Sequence, residues 1–409
     1  MKVYNKIVIR GIVQFPNAMS FDYRLLGKKL REARESLLIE PSEVAGILKI
    51  SKNEYIKLEN GEKQATGDQI LRLATLYQRD FRYFITGDYP SAESQIQELF
   101  RLNSSLSKND RLAIQEFIRF CEYEYFLEGL ISQKVSEELP DYSNIIHHNY
   151  YQQQGQEGAY LERKRLQIGN SPITDIFQLI RQQGVHVFKR KLEDQNISGL
   201  YIKHPEAGHC ILINYIDDLY RQNFSAAHEY CHALFDSSLE QEMTYFKTNN
   251  NNHKEREWRA NSFAGYFLVP EKAIHKYYRL QNNYGEWLTL IKQMCSDFSV
   301  SSKVVIIRLH DIKWIDAELK HRLYNDQRLI IKKTDKFDPE ISDDLSIGSK
   351  ERIMKLIHKG LSWYFIELAT EAYRKNDITY QKLLEMLNLP IEEGNELLSD
   401  LRVFMEATK

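Results

Sequence analysis

The strongest chemical signal in the chain is His228-Glu229-Tyr230-Cys231-His232, an HExxH. On a helix, residues four apart share one face, so His228 and His232 can present two imidazoles to one metal ion. Glu229 sits one step round the helix, within reach of a metal-bound water. A zinc ion lowers the pKa of such a water towards ~7, and the carboxylate takes its proton. Phe224, Ala227, Cys231, Leu234 and Phe235 make the segment an amphipathic helix with the histidines beside its buried edge. Asn223 or Ser225 is the expected cap. The plain alternative is a pair of histidines on a half-buried helix that bind nothing.

A zinc hydrolase needs a third protein ligand and an open fourth position. The next helix offers His253, Glu255 and Glu257. Glu257 precedes Ala260, Ala264 and Phe267, so its face continues the apolar stripe that packs on the HExxH helix. Glu255 points roughly 160–200° away on a helical wheel and reads as solvated. His253 falls in an asparagine-rich loop at 249–252 and its flank. Cys231, three residues after His228, points to the core. His147, His148, His204 and His209 have no spacing that recommends them as ligands.

The elements that must position these groups follow from periodicity. Residues 21–88 read as helices, with Leu25, Leu26, Leu30 and Ala33, then Val44, Ile47 and Leu48, at helical spacing. Residues 92–135 are again helical, and the segment near 139–145 and the run Gln152–Gln156 read as linker. After a helical stretch at 158–183 the period changes. Val185–Lys189, Ser198–Lys203 and Cys210–Tyr215 are short strands that suggest an antiparallel meander. Helices follow at about 219–236 and 254–268, across 284–312, and in a tail over 350–407. The expected fold class is mainly α with a small antiparallel β-sheet in the domain that carries HExxH. The expected domains are an N-terminal segment 1–20, a helical domain 21–88, a helical linker 89–157, the HExxH domain 158–290, an extension 291–345 and a tail 346–409.

Composition bounds the partners. The 409 residues include 55 basic and 57 acidic side chains, a net charge of −2, which excludes a polyanion binder driven by bulk charge. Four scattered cysteines without a CxxC pair exclude a disulfide scaffold, a zinc ribbon or an iron–sulfur site. Lys6 and Arg10 interrupt the apolar residues near the amino terminus, and no run approaches the ~20 apolar residues of a membrane span. The expectation is a cytoplasmic, soluble protein with no membrane partner.

Four stretches, GVHVFKR (184–190), SGLYIKHPEAGHCILIN (198–214), FSAAHEYCHALF (224–235) and EWRANSFAGYFLVP (257–270), resemble the ImmA/IrrE family of zinc metallopeptidases. The resemblance implies one zinc per chain, with His228, His232 and Glu257 as ligands and Glu229 as general base. Cys231 stands where the family often has glycine. Residues 298–315 resemble the helix-turn-helix-like segment that often follows this peptidase core, and 350–409 the small helical tail of longer members.

The unit at 21–88 resembles an Xre-type helix-turn-helix domain, through Ala45, the Glu59-Asn60-Gly61 turn and its five-helix rhythm. Such domains lay their third helix in the major groove of double-stranded DNA, which here brings Lys52, Asn53, Ile56 and Lys57 to the bases. Two features depart from the pattern: Pro41 replaces the usual glutamine at the start of the second helix, and Glu54 puts negative charge on the third. From Arg24 to Lys63 nine basic residues face seven acidic ones, a weak positive patch. By resemblance the protein is a zinc endopeptidase that cleaves a specific regulatory protein, a helix-turn-helix repressor or antitoxin-like partner, in a stress or mobile-element response. Two rivals stand beside it: an Xre-type transcriptional regulator whose zinc domain is a sensor, and a toxin-like component of a toxin–antitoxin or defence pair. The tail is a candidate homodimerisation segment.

Overall fold

The structure is a computed structural model and describes residues 21–86, 92–131, 138–146, 150–237, 251–277, 283–330, 351, 355–357 and 359–398. The chain divides into two units, Met1–Tyr89 and Pro90–Lys409.

The first unit is a bundle of five helices: α1 (Tyr23–Ser36), α2 (Pro41–Leu48), α3 (Lys52–Glu59), α4 (Gly67–Leu76) and α5 (Phe81–Ile85). Each start is chemically marked. Asp22 accepts from the Arg24 and Leu25 amides. Pro41 occupies the first turn of α2, where a missing N–H costs nothing. Ser51 and Glu54 form a reciprocal capping box on α3, as Thr66 and Gln69 do on α4. Helix α1 crosses the end of α3 at Gly27, where a Cβ would stand 2.6 Å from the Leu58 carbonyl oxygen. Beside that crossing Arg34 makes a buried two-pronged pair with Glu59, at 2.7 and 3.2 Å. The hydroxyls of Tyr55 and Tyr77 meet at 2.6 Å and tie α3 to α4.

The second unit opens with α6 (Glu93–Leu102), α7 (Lys108–Ile131), α8 (Tyr151–Arg165) and α9 (Ile176–Arg181). Strands β1 (His186–Arg190), β2 (Gly199–His204) and β3 (Gly208–Asn214) follow. Next come α10 (Leu219–Phe235), α11 (Asn251–Leu268), α12 (Glu271–Ile274), α13 (Tyr284–Phe298), α14 (Ser302–Asp311) and α15 (Ala317–Tyr324). Helices α16 (Trp363–Arg374) and α17 (Tyr380–Leu387) follow, and residues 391–398 are helical beyond them. No helix among the described residues is long and apolar enough to cross a membrane.

The fold is mainly α with one small sheet, but that sheet is mixed rather than an antiparallel meander. Its order is β1-β3-β2, with β1 parallel and β2 antiparallel to β3. The apolar run of β3 takes the centre, buried on both faces, and β1 therefore reaches β2 by crossing the end of β3. Asn214 holds that crossing: its side chain accepts from the Leu192 amide at 3.2 Å and donates to the Ile197 carbonyl at 2.8 Å. A local pattern gives strand identity, whereas neighbour order is decided by tertiary packing.

Two stretches expected to be linker are packed structure. The glutamine run lies within α8, because Gly155 and Gly158, three apart, make a flat face against α11. A Cβ on Gly155 would stand 2.8 Å from the Phe263 amide nitrogen, and one on Gly158 2.7 Å from the Phe235 ring. In the 139–145 segment Tyr142 is buried and donates to Glu162 at 2.8 Å. Helix α11 also starts at Asn251, inside the stretch expected to be loop.

The sheet has two dissimilar faces. Val187, Tyr201, Ile211 and Ile213 join one apolar core with α10, α11, α13 and α14. On the other face Phe188 packs on Phe117 and Phe120 of α7 and Phe365 of α16. The extension is part of the first of these cores: Arg308 of α14 lies over the Tyr266 ring and donates to the Val269 carbonyl at 3.1 Å.

Candidate metal centre

Helix α10 carries the HExxH and is the most enclosed helix of the unit, with only three of its seventeen residues not buried. It starts earlier than a cap at Asn223 or Ser225 requires. Asp218 caps it, accepting from the Tyr220 and Arg221 amides, and Asn223 instead donates to the Ser299 carbonyl.

His228 and His232 lie one turn apart with their Nε2 atoms 3.3 Å from each other. Glu257 of α11 faces both, Oε2 at 3.3 Å from His228 Nε2 and Oε1 at 3.5 Å from His232 Nε2. The three side chains form a potential ligand group. Metal–ligand bonds of about 2.0–2.1 Å in a tetrahedron imply ligand–ligand edges of about 3.3–3.4 Å, and the 3.3 Å between the two Nε2 atoms matches such an edge, with one carboxylate oxygen at a similar distance from each ring. Exposure is graded: the His232 side chain is shut off, His228 is 13% open and Glu257 31% open.

Each donor is aimed from behind. His232 Nδ1 bonds Asp236 Oδ2 at 2.8 Å, and Arg259 holds the other oxygen of Asp236. His228 Nδ1 meets Asn261 Oδ1 at 3.2 Å. With Nδ1 directed to Asp236 and Asn261, both Nε2 atoms face Glu257; without a metal they can donate to its carboxylate, and on losing those protons they would present the tautomer a metal requires. Burial opposes charge on His232, but Asp236 and Glu257 outweigh it and raise its pKa to about 9. Burial likewise works against the charged form of Glu257, and hydrogen bonds from the two histidines hold it well below the carboxylate range.

Glu229 is 5% exposed and sits against β2. A Cβ on Gly199 would stand 2.8 Å from its Cγ and Oε1, so the missing side chain makes room for the carboxylate. Glu255 is half-buried and outside the triad. The side chain of His253, and His147 and His148, lie outside the described residues. His204 pairs with Glu122, and His209 bonds the Tyr201 hydroxyl at 2.9 Å. Cys231 is fully buried, its thiol pushed up by burial. Sequence reasoning missed Asp236, Asn261 and Gly199. The first two had a signal: each lies four residues after a triad member, on the same helix face.

In the first unit Lys52, Asn53 and Lys57 are exposed and Ile56 is half-buried on the outer side of α3. Glu54 is occupied by its capping box and by Lys63 at 2.8 Å, which compensates the charge it brings to the helix.

Residues 180–310 match the peptidase M78 family, the IrrE N-terminal-like domain. The second unit carries an ImmA/IrrE-type metallopeptidase domain. Residues 30–84 match a helix-turn-helix family, the Xre-type architecture of the first unit. No curated protein sequence matches the chain.

Beside the peptidase triad a groove of about 960 Å³ begins at Asn261 and runs past Phe224, Trp258, Tyr266 and Ile307. Trp258 and Ile307 are exposed there.

Proposed function

We propose that the protein is a zinc-dependent endopeptidase in which His228, His232 and Glu257 hold the metal and Glu229 is the general base. The observation that carries this reading is the convergence of the two Nε2 atoms, 3.3 Å apart, on the Glu257 carboxylate, whose Oε2 lies 3.3 Å from His228 and Oε1 3.5 Å from His232. A bound zinc would supply Lewis-acid polarisation of the scissile carbonyl and a water that ionises near neutral pH. The chain's residues do the rest. Asp236 and Asn261 lock the two imidazoles with Nε2 forward. Glu229, held in the space left by Gly199, removes the proton from the attacking water and returns it to the leaving amide nitrogen. Half-exposed Glu257 leaves one side of the triad open for a peptide. The groove with Trp258 and Ile307 offers apolar contact to the residues flanking the scissile bond.

The substrate class is a regulatory protein, a helix-turn-helix repressor or an antitoxin-like partner, cut in a stress or mobile-element response. Its support is the resemblance to the ImmA/IrrE family together with the helix-turn-helix unit on the same chain. Co-expression with genomic neighbours, wild type against Glu229→Gln, followed by mass spectrometry of fragments tests it. A neighbour cut only by the wild type supports the reading. Equal cutting by both removes Glu229 from the chemistry.

A second reading, regulation at DNA, is favoured by the exposed Lys52, Asn53 and Lys57 on the outer side of α3. Phosphate contacts make affinity fall steeply with salt, and removing one, as in Lys57→Ala, should lower the salt slope by about 1. Absence of binding at low salt would leave this unit as a protein-interaction module.

A further inference from the structure

On the opposite face of the sheet from the HExxH helix lies a second cluster with no part in the proposed hydrolysis. Helix α7 turns Cys121, Glu124 and Glu128 along one side, at spacings of three and four. Strand β1 brings His186, whose register partner on β3 is Cys210. His186 Nδ1 bonds Glu124 Oε1 at 2.8 Å, and the Tyr364 hydroxyl donates to Glu128 Oε1 at 3.0 Å. One ligand atom from each of Glu124, Glu128 and His186 lies within 4.8 Å of the other two. His186 is 3% exposed and Glu124 1%.

The ion pair with His186 accounts for only half of the Glu124 carboxylate. Its second oxygen, Oε2, is buried and makes no hydrogen bond. A buried carboxylate oxygen without a partner is costly. The His186 ring supplies one hydrogen bond and satisfies one oxygen. A dication satisfies more. Two carboxylates and a neutral imidazole balance its charge, and Glu124 Oε2 gains a partner.

We propose that Glu124, Glu128 and His186 form a second metal site, which takes a first-row divalent cation, zinc by its mixed oxygen and nitrogen donors, and fastens α7 to the back of the sheet. The depth of Glu124 and His186, with only Glu128 half-buried, marks the site as structural, since a hydrolytic ion needs an open position. Cys210, beside His186 in register and buried, is the neighbouring thiol that favours zinc over a hard cation.

The test is metal content of the full chain, loaded with zinc, desalted and measured by mass spectrometry. Wild type should hold two ions per chain, His232→Ala one, and His232→Ala combined with Glu124→Gln none. Because Glu124 is buried, the half-buried Glu128→Gln is run in parallel, with circular dichroism as the fold check, and should weaken the second ion at least tenfold. A folded His232→Ala protein that takes up no zinc would overturn the proposal, as would a folded Glu124→Gln protein that keeps both ions. One ion in wild type and none in His232→Ala leaves the HExxH reading standing and removes this one. One ion lost with Glu124→Gln but not with His232→Ala does the reverse. Cobalt substitution adds a spectroscopic reading: a thiolate charge-transfer band abolished by Cys210→Ser places that sulfur in the ligand shell.

Discussion

The two His/Glu clusters sit on opposite faces of one three-stranded sheet and differ above all in access. The HExxH cluster keeps Glu257 31% open at the side chain and borders a groove. The cluster on α7 and β1 is more enclosed, with side-chain exposures of 4% at His186 and 1% at Glu124 and only Glu128 half-buried. Their supporting shells differ too. Asp236 and Asn261 aim the front imidazoles, and Glu229 is a fourth, buried carboxylate-bearing residue on the HExxH helix. At the back, Glu124 is both the aiming group and the proposed donor. A triad of donors therefore says little about chemistry by itself. A vacant side and a base turn a metal site toward hydrolysis, and closure turns it toward holding the fold together.

The largest effect expected from this contrast is at Glu229. Glu229→Gln should lower cleavage by about 10²–10⁴-fold while the front ion stays bound, because general-base catalysis contributes on that scale. Unchanged cleavage with full metal content would erase the distinction between the two faces. Next comes Asp236→Asn, which should weaken the front ion about 10–100-fold, the usual effect of losing a ligand's supporting partner. Competition with a calibrated chelator reads this directly, and unaltered affinity would show that Asp236 does not aim His232.

A smaller, structural effect is expected at the α8–α11 contact. Gly155→Val should cost about 1–3 kcal/mol of stability by overpacking, read as a lowered melting temperature. Since α11 carries Glu257, front-ion affinity should fall with it while the back cluster is untouched. Loss at both sites would mean the sheet itself is disturbed. Smallest in scale is a difference of rate: a chelator should strip the open site first and the more enclosed one in a later phase. A single phase would show that the two clusters are equally accessible.

The meeting of His228, His232 and Glu257 was legible because it is written in local spacing. His228 and His232 are one turn apart, and Glu257 lies on a helix whose apolar face has to meet theirs. Asp236 and Asn261 were equally local, four residues after His232 and Glu257, but a lone polar residue on a helix carries no sign of what it bonds. Gly199 was less visible still, since its role is the space it leaves for a carboxylate thirty residues on. The glutamine run misled because composition suggested linker, while Gly155 within it and Gly158 just after it created a packing face. The parallel pairing of β1 with β3 was decided by tertiary packing, which alternation patterns do not report.

Taken alone, the sequence determined most of the helices, the three strands, and that two imidazoles and a carboxylate come together, because turn-by-turn spacing acts over a few residues. Tertiary structure alone decided the strand order, the close packing of α8 on α11, the depth at which Glu229 is held, and the meeting of Glu124 with His186 across 62 residues of chain. Those features depend on which surfaces exclude water from one another, and that is a property of the packed molecule.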